Sequence, residues 1–168
     1  MQKDCRLLVL DVDGVLTDGT FVLHGESGES KSFFAADGFG LRRLLECGIQ
    51  VAFLSGRRSP AVERRARELG ITRLVQGRDD KRAALSELLS ELGVEAAATV
   101  YMGDDLVDLP AMRAVGLGAA PADARPEVRD AAGWIAPSPG GRGAVRDLCE
   151  HLLEGLGHWE EIRRRYLE

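Results

Sequence analysis

Short runs of apolar residues alternate along this chain with longer segments in which apolar residues recur at helical spacing. The clearest short runs are 6–10, 51–54 and 98–102. They are too short for stable helices and carry few polar residues, so they predict buried strands of a parallel sheet. Helices are predicted over 81–92 and 144–153, with Gly48, Gly70 and Gly93 following the ends of other helices. The alternation predicts an α/β fold in a single domain over 1–168.

Two further elements are expected outside this alternation. Two short apolar stretches, 21–23 and 30–33, flank a glycine-containing tip, which predicts a β-hairpin from about 20 to 33. The C-terminal tail, from about 157 to 168, is amphipathic, with Trp159, Ile162 and Tyr166 on one helical face. That face would pack either on its own domain or on another subunit, and the pattern favours neither.

The first apolar run is followed at once by two aspartates, Asp11 and Asp13, and then by Gly14. Residues two apart leave a strand on the same side, and a glycine there allows a sharp turn. The carboxyl edge of an open α/β sheet is where ligands bind. Two carboxylates so close repel each other, so they need a hard divalent cation such as Mg²⁺ or a basic partner.

A second acidic group, Asp104, Asp105 and Asp108, follows the run at 98–102. One aspartate would suffice to cap a helix that begins near Asp105. Three carboxylates exceed what a cap needs, which favours a metal site.

Ser55 and Lys81 occupy comparable positions. Ser55 ends the run at 51–54, and its hydroxyl is either a turn residue or a donor to a phosphate oxygen. Lys81 opens a predicted helix, where a positive charge opposes the helix dipole. It is either a solvated surface lysine or a group that neutralises a carboxylate or phosphate.

The order of these motifs, Asp-x-Asp, Ser, Lys and Gly-Asp-Asp, resembles that of the haloacid dehalogenase superfamily of phosphohydrolases. The intervals from Asp11 to Ser55 and from Ser55 to Lys81 leave no room for the inserted cap domain of many members. The resemblance implies a Rossmann-like parallel sheet with helices on both faces, a small β-hairpin after the first strand and no large cap domain.

Among capless members, the chain most resembles the 3-deoxy-D-manno-octulosonate 8-phosphate phosphatases, from about Arg6 to Leu152. The stretches that carry this resemblance are 10–19, 31–33, 37–40, 54–57, 76–77, 80–81, 103–108 and 140–146. It implies hydrolysis of a sugar-acid phosphate through an aspartyl-phosphate intermediate, as a step of lipopolysaccharide synthesis.

The resemblance assigns a role to each motif residue. Asp11 would be the nucleophile and Asp13 the general acid and base, while Ser55 and Lys81 would bind the phosphoryl oxygens. Mg²⁺ would be held by Asp11, by the backbone carbonyl of Asp13 and by Asp104. Asp105 and Asp108 would lie in the outer shell and orient metal-bound waters or the lysine.

The substrate-binding set implied by the resemblance is larger: Asp13, Asp37, Gly38, Arg42, Arg57, Arg65, Lys81 and Arg142. Arginine forks suit a carboxylated, phosphorylated sugar. Other interpretations are that Asp37 only caps the helix through Glu46, and that the arginines lie on a solvated face. Residues 34–36 are Phe-Ala-Ala, where this family commonly carries polar and basic residues. A related nine-carbon sugar-acid phosphate, or a non-catalytic oligomerising or regulatory module of sugar-nucleotide synthesis, is the alternative.

Composition bears on the partners. With 27 acidic against 22 basic residues the net charge is −5, which argues against nucleic acid or an anionic membrane as the main partner. Three scattered cysteines suggest neither disulfides nor zinc. No apolar run could span a bilayer and no signal peptide is evident, so a cytoplasmic location is expected. The resemblance adds a homotetramer, with hairpins packed together and Arg142 reaching a neighbouring subunit's site.

Overall fold

The central sheet has six parallel strands. A computed structural model describes residues 4–25 and 28–168. The strands of the sheet are β1 (Leu7–Leu10), β4 (Gln50–Ser55), β5 (Arg73–Gln76), β6 (Thr99–Met102), β7 (Leu117–Ala120) and β8 (Trp134–Ile135), and a separate two-stranded hairpin holds β2 (Val22–Leu23) and β3 (Glu29–Ser30). The order across the sheet is β5-β4-β1-β6-β7-β8, so β1 lies at the centre between β4 and β6. The predicted α/β class and parallel sheet are confirmed.

Helices cover both faces of this sheet. They are α1 (Ala35–Glu46), α2 (Pro60–Leu69), α3 (Lys81–Leu92), α4 (Leu109–Met112), α5 (Pro126–Ala131), α6 (Ala144–Gly155) and α7 (Trp159–Leu167). Along β1, Leu8 and Leu10 join a core with α1, α2 and α6, whereas Leu7 and Val9 join a core with α3, α4 and α5. This follows from the two-residue period of a strand, and it buries all four side chains of β1 completely. Each buried leucine contributes about 1.5–3 kcal/mol, so the strand that carries the acidic motif is firmly held.

The hairpin is shorter than its sequence predicts. Val22 pairs with Ser30 and Leu23 with Glu29, while 31–33 form no strand. Of the predicted tip, Glu26 and Ser27 lie outside the described residues. The second strand stops at Ser30, and the side chain of the next residue, Lys31, turns inward to the carboxylate of Asp13.

Two helix boundaries also bear on the predictions. The interpretation of Asp37 as the cap of α1 is wrong, because the capping position is Phe34 and Asp37 lies inside the first turn. The tail does form a helix, α7, and its Ile162 is buried against the core around α6. Over residues 4–25 and 28–168, no helix has the length and apolar character needed to cross a bilayer.

Candidate active site

The predicted catalytic side chains converge at the carboxyl edge of the sheet. Parallel neighbours end at the same edge, so the residues that follow β1, β4 and β6 are brought together there. The amide of Asp11 donates to the carbonyl of Met102, 3.0 Å away, which ties the end of β1 to the end of β6. Between them lies a cavity of about 570 Å³. Its lining is Asp11, Asp13, Gly19, Ser55, Gly56, Arg57, Arg78, Asp79, Lys81, Asp104, Asp105 and Val107.

A tight turn follows Asp11 and lets the two acidic groups approach each other. The carbonyl of Val12 accepts from the amides of the residues at 15, 16 and 17, at 3.3, 2.9 and 3.1 Å. Gly14 has φ 91°, and a Cβ at that position would lie 2.1 Å from Oδ2 of Asp104. A side chain here would therefore displace the Asp104 carboxylate, which explains the glycine in chemical terms.

Lys81 neutralises the carboxylates of Asp11 and Asp108. Its Nζ lies 2.8 Å from Oδ1 of Asp11 and 2.6 Å from Oδ1 of Asp108, and the side chain is only 5% exposed. Burial lowers the pKa of Lys81, but the charges of Asp11 and Asp108 outweigh burial and hold that pKa above its usual value. Of the two sequence interpretations, the structure thus favours the neutralising lysine over the solvated one.

Both carboxylate oxygens of Asp108 accept hydrogen bonds from other protein groups. Besides Lys81, its Oδ1 accepts from the hydroxyl of Tyr101 at 2.8 Å. Its Oδ2 accepts from the amides of Asp104 and Asp105 at 3.1 and 3.2 Å. With both oxygens satisfied and no exposure, Asp108 orients the lysine and the acidic loop rather than offering a free ligand.

The remaining carboxylates are poorly compensated without a cation. Burial, with the charge of Asp108, raises the pKa of Asp11 to about 7 despite Lys81. Burial, with the charges of Asp11 and Asp108, raises the pKa of Asp104 to about 8. Oδ1 of Asp104 is buried and has no hydrogen-bond partner among the described residues.

These observations fit a hard divalent cation. Oxygens of Asp11, Asp104 and Asp108 lie within 4.8 Å of one another. Since Asp108 is already satisfied, Asp11 and Asp104 are the side chains with oxygens to offer, as the sequence predicted. The expected third ligand, the backbone carbonyl of Asp13, belongs to the adjoining turn. Carboxylate and carbonyl oxygens are the ligands that Mg²⁺ prefers, and a cation would relieve the repulsion between the carboxylates.

Asp105 has a simpler role in the described contacts. Its side chain accepts from the amide of Leu106 at 2.7 Å and caps a short 3-10 turn, Leu106–Asp108, in a capping box with Asp108. It also lines the cavity, so a second role toward metal-bound water is compatible with its position.

Ser55, at the end of β4, and Arg57 form another wall of the cavity. Ser55 is 3% exposed, and its Oγ accepts from the amide of Arg57 at 3.2 Å. The guanidinium of Arg57 lies 2.7 Å from Glu29 of the hairpin and 4.2 Å from the ring centroid of Phe21. The hairpin is therefore part of this wall. Sequence reasoning did not single out Glu29, or the rim residues Arg78 and Asp79.

Lys31 is a second lysine at the site, and it received no role from the sequence. Its side chain is fully buried and forms an ion pair with Oδ1 of Asp13. The signal available in the sequence was its place in the stretch 31–33 that carries the family resemblance.

Four of the predicted substrate residues lie outside this cavity: Gly38, Arg42 and Arg65 line a separate groove between α1 and α2, and Asp37 is buried in the first turn of α1. Asp37 is 2% exposed, its Oδ1 accepts from the amide of Arg146 at 2.9 Å, and burial raises its pKa to about 6. Gly38 packs against the guanidinium of Arg65, where a Cβ would be 2.7 Å from a nitrogen. Arg42 donates to the carbonyl of Glu68 at 2.9 Å. Within one chain, this group does not join the site.

The fifth outlying residue, Arg142, has a side chain that is 68% exposed, 3.9 Å from Asp18. The glycines before it do have a visible role. A Cβ at Gly140 would lie 1.8 Å from the carbonyl oxygen of Gly14, and one at Gly141 would lie 2.3 Å from the amide nitrogen of Asp18. The glycine-rich loop thus packs directly on the turn that follows the nucleophile.

Comparisons with known proteins agree with this geometry. Residues 71–146 match the model of a haloacid dehalogenase-like hydrolase family. The 3-deoxy-D-manno-octulosonate 8-phosphate phosphatase KdsC of Escherichia coli K12 is 44% identical over 161 residues, which cover 96% of this chain and 86% of the relative. The chain belongs to the 3-deoxy-D-manno-octulosonate 8-phosphate phosphatase family.

Solved structures of the family superpose closely. The phosphatase of Yersinia pestis has a TM-score of 0.92 at 43% identity, over 95% of this chain and 86% of that one. The Moraxella catarrhalis phosphatase, solved in complex with magnesium, phosphate and KDO, has a TM-score of 0.95 at 39% identity, over 98% and 95%. The expected fold without a large cap domain is therefore confirmed for the family to which the chain belongs.

Proposed function

We propose that this protein is a Mg²⁺-dependent phosphatase that hydrolyses 3-deoxy-D-manno-octulosonate 8-phosphate. The observation that carries the proposal is the cluster at the sheet edge: Asp11 is held by Lys81, beside a buried Asp104 oxygen that no other described residue binds. Such a cluster has the charge and the unfilled coordination that a phosphate ester with Mg²⁺ would complete. The 44% identical relative named for this substrate selects it among phosphate esters.

The chemistry proposed for the described residues has two displacements. A carboxylate oxygen of Asp11 forms a bond to phosphorus while the bond from phosphorus to the sugar oxygen breaks, and Asp13 gives a proton to that departing oxygen. Water then attacks the phosphorus of the aspartyl-phosphate, Asp13 takes its proton, and inorganic phosphate leaves with Asp11 restored. Lys81 and the hydroxyl of Ser55 are placed to bind phosphoryl oxygens. Mg²⁺, held by Asp11, the Asp13 carbonyl and Asp104, would offset the charge of nucleophile and phosphate together.

Recognition of the sugar acid is assigned first to Arg57. Arg57 lines the cavity close to Ser55 in the sequence, and its guanidinium is suited to bind a carboxylate or hydroxyl of the same substrate. A nine-carbon sugar-acid phosphate is the second candidate, because Phe34, Ala35 and Ala36 begin α1 without the polar groups common in the family.

We further propose that the active form is a homotetramer in which a neighbouring subunit completes the site. The cavity is open to solvent, whereas Gly38, Arg42 and Arg65 line a separate groove that would face another copy's cavity, with Asp37 buried in the same helix. Apolar side chains are exposed on and near the hairpin, as expected of a contact surface: Phe21, Val22, Leu23 and Phe34. Arg142 would lie near an adjacent cavity mouth. The three free cysteines fit a reducing compartment, and we propose the cytoplasm.

The test of the activity is a panel of phosphate esters assayed with Mg²⁺ and with EDTA. We expect the eight-carbon sugar-acid phosphate to give the highest kcat/KM and EDTA to abolish turnover. Asp11→Asn should abolish turnover with the fold intact, while Asp130→Asn, the same change on the exposed end of α5, should not. If the folded protein hydrolyses no ester under either condition, the non-catalytic module is the better explanation.

The test of the assembly combines light scattering with the variant Arg142→Ala. We expect a tetramer, and a larger loss of kcat/KM on the sugar-acid phosphate than on p-nitrophenyl phosphate, which needs only the central cluster. A fully active monomer at assay concentration would exclude the arrangement. Equal losses on both esters would assign Arg142 to the fold.

A further inference from the structure

The hairpin sends one charged side chain into the catalytic cluster. Lys31 follows β3, and its ammonium group pairs with Oδ1 of Asp13 with no exposure of the side chain. Within the described part of the chain, it is the one partner that the Asp13 carboxylate contacts by hydrogen bond or ion pair. Asp13 otherwise faces the cavity from a turn, with 23% of its side chain exposed.

Lys31 is itself held in place from two sides. Its Nζ lies 3.5 Å from Oε1 of Glu29 and 5.0 Å from the ring centroid of Phe21. Glu29 is the same carboxylate that binds Arg57, and Phe21 also stacks on that arginine. A buried lysine is costly unless it is paired, and here two carboxylates and an aromatic face compensate the charge. The arrangement is therefore specific, since solvent does not reach the ammonium group.

We propose that Lys31 is a positioning residue for Asp13, held in place by Glu29 of the hairpin. An aspartate on a turn has several staggered rotamers, and only some bring its carboxyl group to the leaving oxygen. The ion pair uses Oδ1 and would favour one rotamer of the Asp13 side chain, which lines the cavity. The hairpin would thus contribute to proton transfer as well as to subunit contact. This inference rests on the phosphatase activity proposed above, in which Asp13 protonates the leaving group.

The two classes of ester separate this role from a structural one. An alcohol leaving group needs a proton from Asp13, whereas p-nitrophenolate is stable enough to leave without one. General acid catalysis contributes about 10²–10⁴-fold, and losing only the orientation of the acid should cost part of that range. Lys31→Met should lower kcat on the alkyl phosphate that the wild type turns over fastest by about 10- to 100-fold. On p-nitrophenyl phosphate we expect a loss of less than about threefold, with KM for both esters within about threefold of the wild type.

Three further variants complete the test. Lys31→Arg keeps the charge and should recover most of kcat on the alkyl ester. Glu29→Gln leaves Asp13 untouched but loosens Lys31, and its kcat should fall less than that of Lys31→Met, again more on the alkyl ester than on p-nitrophenyl phosphate. Because Glu29 also binds Arg57, this comparison uses kcat and not KM. The variant keeps the test valid even if Lys31→Met folds poorly. Ser32→Ala, on the exposed neighbour of Lys31, should change neither ester.

The outcomes are distinct. Equal losses on both esters, or no recovery by arginine, would assign Lys31 to the fold of the hairpin and overturn the proposal. A change confined to KM would make Lys31 a substrate ligand instead and would also overturn it. If the wild type hydrolyses no ester, the phosphatase assignment fails and takes this inference with it. If the wild type is active and Lys31→Met matches it, only this inference fails.

Discussion

Lys81 should contribute more to stability than any surface charge of this protein. The substitution Lys81→Met keeps an unbranched apolar stem of similar length but removes the ammonium group between Asp11 and Asp108, at 2.8 and 2.6 Å. Without a divalent metal, the variant leaves three mutually repelling carboxylates near the sheet edge. The expected result is a large loss of unfolding free energy in EDTA.

The size of that loss follows from the burial of the pair. Removing one partner of a buried ion pair typically costs about 3–5 kcal/mol, because the other charge stays buried without compensation. Here Asp11, whose pKa is already about 7, can relieve part of the cost by taking up a proton. We therefore expect the lower part of the range, about 3 kcal/mol near pH 7. For a chain of this size that corresponds to a fall in Tm of about 6–12 °C.

The measurement is urea unfolding in EDTA at pH 6, 7.5 and 9. A carboxyl group whose pKa is raised by folding binds a proton in the folded state that it lacks in the unfolded state, so it destabilises the fold increasingly as pH rises toward the folded pKa. Losing Lys81 raises the pKa of Asp11 further, so the deficit relative to wild type should grow from pH 6 to pH 9. The matched control is Arg82→Met, which removes a positive charge from the next, exposed position of α3.

Two results would refute this reasoning. A loss within about 1 kcal/mol of the Arg82→Met control at every pH would mean that Lys81 does not hold the carboxylates. A deficit that shrinks as pH rises would contradict the raised pKa of Asp11. Added Mg²⁺ should recover part of the loss, because a bound cation stabilises the folded state by mass action.

Three other perturbations follow from the same structure. Asp104→Asn should stabilise the protein in EDTA at pH 7.5 by on the order of 2 kcal/mol, because it removes a carboxylate whose pKa is raised to about 8. Mg²⁺ should no longer raise the Tm of this variant, and unchanged stabilisation by Mg²⁺ would place the metal elsewhere. Gly141→Ala should cost about 2–4 kcal/mol of unfolding free energy and reduce kcat, since its Cβ would lie 2.4 Å from the carbonyl carbon of Thr17. The control is Gly48→Ala, where φ is 82° and the space is open, so that only backbone strain is added. Equal losses of stability in the two variants would disprove the clash. Asp37→Asn should add about 2 kcal/mol above pH 7 and nothing near pH 4, because the cost of the raised Asp37 pKa develops as pH rises from 3.8, the usual value, to about 6 and is complete above it. Urea midpoints at both pH values check this, and kcat/KM on the sugar-acid phosphate should fall if a neighbour's site uses Asp37.

The positions of the catalytic groups along the chain were largely predictable. Asp11, Ser55 and Asp104 each follow an apolar run, and those runs became the adjacent strands β1, β4 and β6. Because parallel strands end at one edge, strand identity alone was enough to bring these side chains to one place. Lys81 was also predicted to open a helix, and it is the first residue of α3.

The partners of those groups were not predictable in the same way. Asp108 was expected in an outer shell, orienting either metal-bound waters or Lys81, and the structure selects Lys81, 27 residues away. Its bonds to Tyr101 and to two backbone amides were not predicted. Lys31 reaches Asp13 across 18 residues from an element predicted only as a hairpin. Asp37 carried the local signal of a helix cap but lies inside the helix, accepting from Arg146 across 109 residues.

The sequence by itself determined the strands that carry the acidic and serine motifs, the helix that Lys81 begins and the edge at which the acidic residues collect, because apolar periodicity and turn residues act over a few neighbouring positions. Only the tertiary structure decided how charge is compensated there. Burial makes every unpaired charge costly, so the pairing of Lys81 with Asp11 and Asp108, and of Lys31 with Asp13, depends on which distant side chains packing leaves within reach. Among the described residues it also leaves one buried oxygen of Asp104 without a hydrogen-bond partner, and this oxygen is a ligand that a metal ion would bind.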